Sequence, residues 1–154
     1  MPLALQQPPR TGWSRTLAIL PLIAVPVLIY NFVALVGGGP DGVPALAATV
    51  LDMNMLSGAR LVLNWGDMLL VLAIIFLFAE VLKATGTGGT AITNHMLSMG
   101  LFIVCLMEFL LLASFATPVF FLLTAIVLLD ALAGMVVTTI SARRDFGVGE
   151  GFTS

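Results

Sequence analysis

Four acidic residues fall within long apolar stretches of this 154-residue chain: Asp67, Glu80, Glu108 and Asp130. A carboxylate near the centre of a bilayer costs about 2.5–3.5 kcal/mol on insertion scales, so such residues usually face other helices or a water-filled cavity. In that setting a carboxyl group binds protons or cations, or it forms a hydrogen bond between helices. These four acids are therefore the first candidates for chemistry.

Glu108 and Asp130 are predicted to lie at similar depths, on consecutive helices joined by a short turn. If the two helices reverse direction at a turn near Thr117, residue 126 lies opposite Glu108. Asp130, four residues further on, then lies roughly 6 Å deeper by helix rise. Neighbouring carboxyls in a low dielectric favour each other's neutral form, so we expect at least one of them to be protonated at neutral pH. Two interpretations stay open: hydrogen bonds between helices, worth about 0.6 kcal/mol each, or a site for protons or cations.

The other two acids are predicted to lie nearer the membrane surfaces. Glu80 precedes Lys83 by three residues, a pairing worth only a few tenths of a kcal/mol, and is expected to be a solvated or interfacial charge. Asp67 lies roughly 7–9 Å from the start of its apolar stretch, where Arg60 could reach the same helix face. We expect Asp67 to be an interfacial acid, with membership of the proton or cation site as the alternative.

One face of the last apolar stretch carries Asp130, Ala133, Gly134 and Thr138. Small residues spaced four apart let two helices approach closely. This candidate packing face is predicted to contact either the preceding helix or another subunit.

His95 and Cys105 are the single histidine and the single cysteine of the sequence. They exclude a self-contained zinc or iron–sulfur site built from those ligands. His95 is expected to be an interfacial histidine, with ligation shared with a partner subunit, as in a redox protein, as the alternative. Because no nucleophile–base pair or metal-ligand spacing occurs, the sequence predicts no enzyme, no cofactor and no metal site.

The composition indicates that these residues are positioned by helices in lipid. Sixty per cent of the residues are hydrophobic and 9% are charged, whereas a soluble domain carries about 25% charged residues. The net charge is −2 and no basic block is present, which argues against nucleic acid as a partner.

Four stretches reach the roughly 20 apolar residues that a bilayer core requires: 16–36, 61–82, 95–115 and 118–140. The predicted fold is an all-α integral membrane protein with four transmembrane helices in an up-down bundle. A cytoplasmic segment, 1–15, precedes the transmembrane domain (16–140), and a flexible cytoplasmic tail, 141–154, follows it. Residues 44–56, in the first outer loop, are predicted to form a short interfacial helix.

The predicted function is that of a non-enzymatic accessory or assembly subunit of a membrane complex. Short segments outside the membrane leave no room for a separate catalytic domain, and the lipid bilayer, other subunits or further copies are the expected partners. The alternative is a proton- or cation-coupled transporter or channel that uses the intramembrane carboxylates. It would be homo-oligomeric, because four helices alone enclose little lumen.

The charge distribution predicts orientation. Four spans place five of the six basic residues on one side, and Arg60 alone on the other. Basic residues concentrate in the cytoplasm, so both termini are expected there, in a plasma membrane or a bacterial inner membrane. Reporter fusions at Gly39, Gly88 and Ser154 should read outside, inside and inside; an outside signal at Ser154 would contradict four spans.

Overall fold

The structure is a computed structural model that describes residues 20–39, 42–84 and 89–147, and the side chains of 20–39, 42–83 and 93–136. The described chain is mostly helical, with one antiparallel hairpin and a 3₁₀ turn at Ala113–Phe115. The elements in chain order are α1 (Ala24–Gly37), α2 (Pro44–Ala47), β1 (Thr49–Asn54), β2 (Arg60–Asn64), α3 (Trp65–Ala84), α4 (Gly89–Leu111) and α5 (Pro118–Gly147).

Three of the described helices are long and apolar enough to cross a membrane. Their apolar windows are Trp65–Lys83, Thr93–Leu111 and Pro118–Val136, each of 19 residues. A helix of that length rises about 28 Å, close to the thickness of a hydrocarbon core. At most 33% of any window is buried within the protein, so most of this apolar surface suits a lipid environment. The predicted helical membrane character is confirmed.

The first predicted span, 16–36, is described only from residue 20. Its helix α1 covers 14 residues, or about 21 Å, which is shorter than a bilayer core. A turn precedes α1: the backbone N–H of Ala24 donates to the Pro21 carbonyl at 3.1 Å, and that of Val25 donates to the Leu22 carbonyl at 3.0 Å. Residues 1–19 lie outside the described part, so the number of spans and the orientation of the termini stay predictions.

The prediction of an interfacial helix over 44–56 is wrong for most of that segment. Only Pro44–Ala47 is helical, and β1 begins at Thr49. β-branched residues at 49 and 50 favour a strand, and Gly58, at φ +84°, supplies the conformation that the turn requires. Because 60–64 pairs with β1, the helix predicted from residue 61 begins at Trp65 instead.

An exposed ion pair joins the two strands of the hairpin. Arg60 Nε donates to Asp52 Oδ1 at 2.7 Å, and Arg60 Nη2 donates to Asp52 Oδ2. The guanidinium holds the pKa of the Asp52 carboxyl below its usual range. The pair's small stabilisation is therefore present at neutral pH and is lost as the pH falls through that lowered pKa. Arg60 thus pairs with Asp52 rather than with Asp67.

Helix α5 is the centre of the bundle, because it packs along both α3 and α4. Its buried face carries Phe120, Leu123 and Val127. These side chains recur at three- and four-residue spacing, as expected for one face of a helix.

Tyr30 of α1 lies in the core of the bundle. Its side chain is fully buried, and its ring centroid lies 5.6 Å from that of Phe115 and 4.6 Å from that of Phe120. The hydroxyl is 2.7 Å from Thr117 Oγ1 and donates to the Ser114 carbonyl at 3.1 Å. A buried phenol needs such partners, and here they attach α1 to the turn between α4 and α5.

Gly38 is predicted to be essential for the close approach of α1 to that turn. A methyl group at Gly38 would overlap the Ala34 carbonyl oxygen and lie 3.0 Å from Ser114 Cβ. We expect Gly38→Ala to reduce the free energy of unfolding by about 1–3 kcal/mol, as overpacking does. The adjacent Gly37 has open space around its Cβ position, so Gly37→Ala is the matched control. Equal thermal stability of the two variants in detergent would contradict the prediction.

Candidate functional site

Glu80 lies inside the protein at one end of the bundle, with 2% of its surface exposed. The expectation of a solvated charge is therefore wrong, while a position near the membrane interface stays a prediction. Glu80 Oε2 accepts from Asn94 Nδ2 at 3.1 Å. Glu80 Oε1 accepts from Lys83 Nζ at 2.9 Å and from the backbone N–H of Leu22. One carboxylate on α3 thus contacts α4 and the segment before α1.

Lys83 completes the same network. Its ammonium group also donates to the Leu20 carbonyl at 2.8 Å and to Asn94 Oδ1 at 3.2 Å. With Glu80, these partners match the three N–H donors of a lysine. The Lys83 side chain is 25% exposed and that of Glu80 is 1% exposed, so the ion pair is largely removed from solvent.

Asp130 of α5 and Ser98 of α4 extend this network into the bundle. Asp130 is 6% exposed and Ser98 is 1% exposed, and the Ser98 hydroxyl lies beside the Asp130 carboxyl. The other ionisable groups that interact electrostatically with the Asp130 carboxyl are Glu80, Lys83 and His95. We call the six residues Glu80, Lys83, Asn94, His95, Ser98 and Asp130 the polar cluster.

The candidate packing face of α5 points towards α4 at this level. A Cβ built on Gly134 would lie 2.7 Å from His95 Nδ1, so the imidazole occupies the space that the glycine leaves. Asp130, one turn earlier, is buried on the same side. Ala133 is partly exposed, and the side chain of Thr138 lies outside the described residues. At Asp130 and Gly134, the face thus packs within the chain.

Three polar atoms of this cluster are buried without a hydrogen-bond partner in the described part of the chain. They are His95 Nδ1, Ser98 Oγ and Asp130 Oδ2. An unsatisfied buried polar atom costs roughly 1–3 kcal/mol. Glu80, by contrast, accepts at both carboxylate oxygens, so the cluster divides into a paired half and an unpaired half.

Glu108 lies elsewhere, at the contact between α4 and α1. Its Oε2 accepts from Asn31 Nδ2 at 3.2 Å, and the same amide group donates to the Val27 carbonyl at 3.2 Å. Glu108 and Asn31 are both half-buried. The acid therefore sits at the edge of the bundle rather than in its interior.

The predicted adjacency of Glu108 and Asp130 is not found. Phe109 packs against Phe121, with ring centroids 5.7 Å apart, so Glu108 lies opposite the start of α5. Asp130 comes nine residues after Phe121, or roughly 13 Å further along the helix. Helices α4 and α5 reverse direction about a point near residue 114 rather than near Thr117, because the 3₁₀ turn at Ala113–Phe115 is already part of the connection between them.

Asp67 stabilises the first turn of α3. The backbone N–H of Asn64 donates to Asp67 Oδ2 at 2.8 Å, and the backbone N–H of Asp67 donates to Asn64 Oδ1 at 3.0 Å. This reciprocal arrangement is a capping box, which satisfies amides at the start of a helix. The structure thus separates the acids of the predicted proton or cation site into three different environments.

The polar cluster was missed as a unit in the sequence, although a signal was present. Asn94, His95 and Ser98 are polar residues on one turn of α4, and a short connection from Lys83 returns the chain to the same end of the bundle. Residues three and four apart lie on one helix face. That spacing, combined with the short connection, would have placed these side chains near Glu80.

An open cavity of about 420 Å³ lies towards the other end of the bundle, where α3 begins. Apolar side chains from α1, α2 and α3 line it, including Val33, Leu46 and Trp65. It has no titratable lining residue, so the polar cluster remains the stronger candidate for chemistry.

Comparisons of the chain with protein-family models, curated proteins and solved structures gave no match. Within the described residues, no group of three histidine, cysteine or acidic side chains is placed to hold a metal ion.

The ion pair of the polar cluster is predicted to be strongly coupled. Removing one partner of a buried pair costs about 3–5 kcal/mol, because the other charge stays buried. Lys83→Met should therefore be severely destabilising. Glu80→Gln should be milder, since Lys83 is partly exposed, and the double variant should lose less stability than the sum of both.

A double-mutant cycle, measured by reversible unfolding in mixed micelles, tests this coupling. Asp52→Asn is the control, because it breaks an exposed pair and should leave the free energy of unfolding nearly unchanged. Additive losses from the two cluster substitutions would show that Glu80 and Lys83 act independently.

Proposed function

We propose that this protein is a non-enzymatic, multi-pass membrane protein that acts as an accessory or assembly subunit of a membrane complex. The observation that carries the proposal is Glu108, a half-buried carboxyl at the edge of an apolar bundle. Its Asn31 partner supplies one hydrogen bond of 3.2 Å. In a plasma or bacterial inner membrane, with both termini in the cytoplasm, a second helix would complete this site.

The surroundings of Glu108 support a membrane partner. Exposed apolar side chains lie nearby in the sequence on both helices: Phe32 and Leu35 on α1 are 69% and 77% exposed, and Leu111 on α4 is 72% exposed. Ion pairs in the described chain join Asp52 to Arg60 and Glu80 to Lys83, and neither includes Glu108.

A carboxyl on an apolar surface recruits a complementary group. Intramembrane acids are costly and usually pair with one another, with basic residues or with backbone groups. A partner helix that carries a lysine, an arginine or an amide donor would satisfy Glu108 while its apolar residues cover α1 and α4. Such polar contacts, together with close packing, are what hold membrane helices together.

The small size of the elements outside the long helices also favours a subunit over an enzyme. Outside the three long helices and α1, the described elements are the four-residue α2, the 3₁₀ turn and a two-stranded hairpin. Glu80, Lys83 and Asn94 are engaged in hydrogen bonds that join α3 to α4. A role in assembly requires no catalytic group.

A second candidate is a proton- or cation-coupled transporter or channel, acting as a homo-oligomer. The two buried carboxyls Glu80 and Asp130 favour it, because buried acids often mark ion pathways in membrane proteins. Glu108 and Asp130 lie roughly 13 Å apart along the bundle by helix rise, and Asp67 is engaged with Asn64 at the start of α3. A route across the bilayer would therefore need groups from neighbouring copies.

The subunit proposal predicts that Glu108 determines association. We expect the tagged wild-type protein, extracted in mild detergent, to run in native mass spectrometry as a heteromer of defined stoichiometry. Glu108→Leu should release the partner, since leucine keeps an apolar surface but cannot pair with a polar group. Met107→Leu, at a neighbouring residue that is 54% exposed, should retain it.

Circular dichroism and size-exclusion chromatography of each variant would show that the fold persists. If the complex survives Glu108→Leu, Glu108 serves only an internal hydrogen bond with Asn31, and the proposal is contradicted. A homo-oligomer without other subunits would favour the second candidate instead.

A further inference from the structure

The hairpin of β1 and β2 has two faces of different chemistry. Residues opposite each other in an antiparallel pair share one side of the sheet, and neighbours along a strand lie on opposite sides. The register places Leu51 opposite Leu63. It also places Met53 opposite Leu61, and we call these four side chains the apolar face of the hairpin. The other face, which includes the exposed ion pair, carries Asp52, Asn54, Arg60 and Val62.

The described part of the chain leaves the apolar face uncovered. Leu51 and Met53 are 42% and 45% exposed, and Leu61 and Leu63 are only partly buried. A two-stranded hairpin is marginally stable in water unless its apolar side packs against another surface. An exposed apolar patch with a polar rim is typical of a surface that meets a protein or a membrane. The apolar face therefore needs a partner from outside the described residues.

The hairpin is joined without a linker to a helix that is long and apolar enough to cross a membrane. β2 ends at Asn64 and α3 begins at Trp65, whose backbone N–H donates to the Ala48 carbonyl at 3.1 Å. The capping box of Asn64 and Asp67 fixes the same junction. Trp65 is 55% exposed and begins the apolar window of α3, and tryptophan is enriched at membrane interfaces. A hairpin that leaves α3 at this residue begins where hydrocarbon meets water.

The open edges of the hairpin limit the depth at which it can lie. A two-stranded sheet leaves one edge of each strand without ladder partners in the described chain. Such open edges do not occur in the hydrocarbon of a bilayer, whereas water and lipid head groups satisfy them. β2 has five residues and is about 17 Å long. Upright, it would carry the apolar face away from lipid, while a flat hairpin keeps that face at the interface.

We propose that the hairpin lies flat on the membrane surface at which α3 begins, with its apolar face in the lipid and its ion-pair face in water. Helix α3 exposes apolar side chains such as Val71 and Ile74, so the hairpin continues a surface that already suits lipid. Because Asp52 and Arg60 neutralise each other, the hairpin requires no anionic lipid. This surface goes beyond the proposed role in assembly, since it involves neither Glu108 nor a second subunit.

Spin labels on adjacent residues of each strand test this orientation. In a Cys105→Ala background, the variants are Met53→Cys and Leu61→Cys on the apolar face, and Asn54→Cys and Val62→Cys on the other. Each full-length protein is labelled and reconstituted in phosphatidylcholine nanodiscs. The ratio of accessibility to oxygen, which concentrates in lipid, over accessibility to a water-soluble nickel chelate should be several-fold higher at 53 and 61 than at 54 and 62. Val62 is the matched control, because it is apolar but lies on the ion-pair face.

A second readout uses the unmodified chain, so it does not depend on the folding of any variant. Phosphatidylcholine with a photoreactive group on its acyl chain should, on irradiation, form adducts with the apolar face and not with Asn54 or Arg60, as located by mass spectrometry. Equal accessibility of both faces to the chelate, or a hairpin without adducts, would overturn the proposal.

Labels on the apolar face that are shielded from both reagents would also overturn it. Spin–spin coupling between copies would then identify a second copy of the chain as the occupant of that face. Shielding without such coupling would identify a segment of the same chain instead.

Discussion

The arrangement of the bundle depends on the need to pair one buried carboxylate, that of Glu80. An uncompensated charge in the protein interior costs several kcal/mol, so the surrounding chain must supply donors. The donors come from Lys83 on the same helix, from Asn94 on α4 and from the backbone of Leu22. Satisfying one side chain therefore brings together the segment before α1, the end of α3 and the start of α4.

The opposite end of the bundle is held by different chemistry. There Tyr30 packs against Phe115 and Phe120, and its hydroxyl group contacts Thr117 and the Ser114 carbonyl. A charged network at one end and an aromatic group at the other fix α1 along its length. The same turn sets the register of α4 against α5, which separates Glu108 from Asp130 and gives each acid its own surroundings.

This separation explains why the acids suit different roles. Glu80 accepts hydrogen bonds at both carboxylate oxygens and Asp67 caps the first turn of α3, so both serve the fold. Asp130 is buried, and within the described residues its Oδ2 has no hydrogen-bond partner. Glu108 lies half-buried at the edge with one partner, which is the arrangement expected of a contact with another helix. Identical carboxyl groups thus differ through burial and available donors.

The sequence by itself determined that the chain belongs in a membrane as helices, because its apolar stretches match the length of a bilayer core. It also marked the intramembrane acids as the informative residues. It could not determine the hairpin at 49–64, since an apolar run of that length suits a helix or a strand until Gly58 closes the turn and the strands pair. Nor could it determine that Glu80 is buried or that Glu108 and Asp130 are apart. Those outcomes depend on how a 3₁₀ turn sets helix register and on which distant backbone groups reach a carboxylate, and only tertiary contacts decide both.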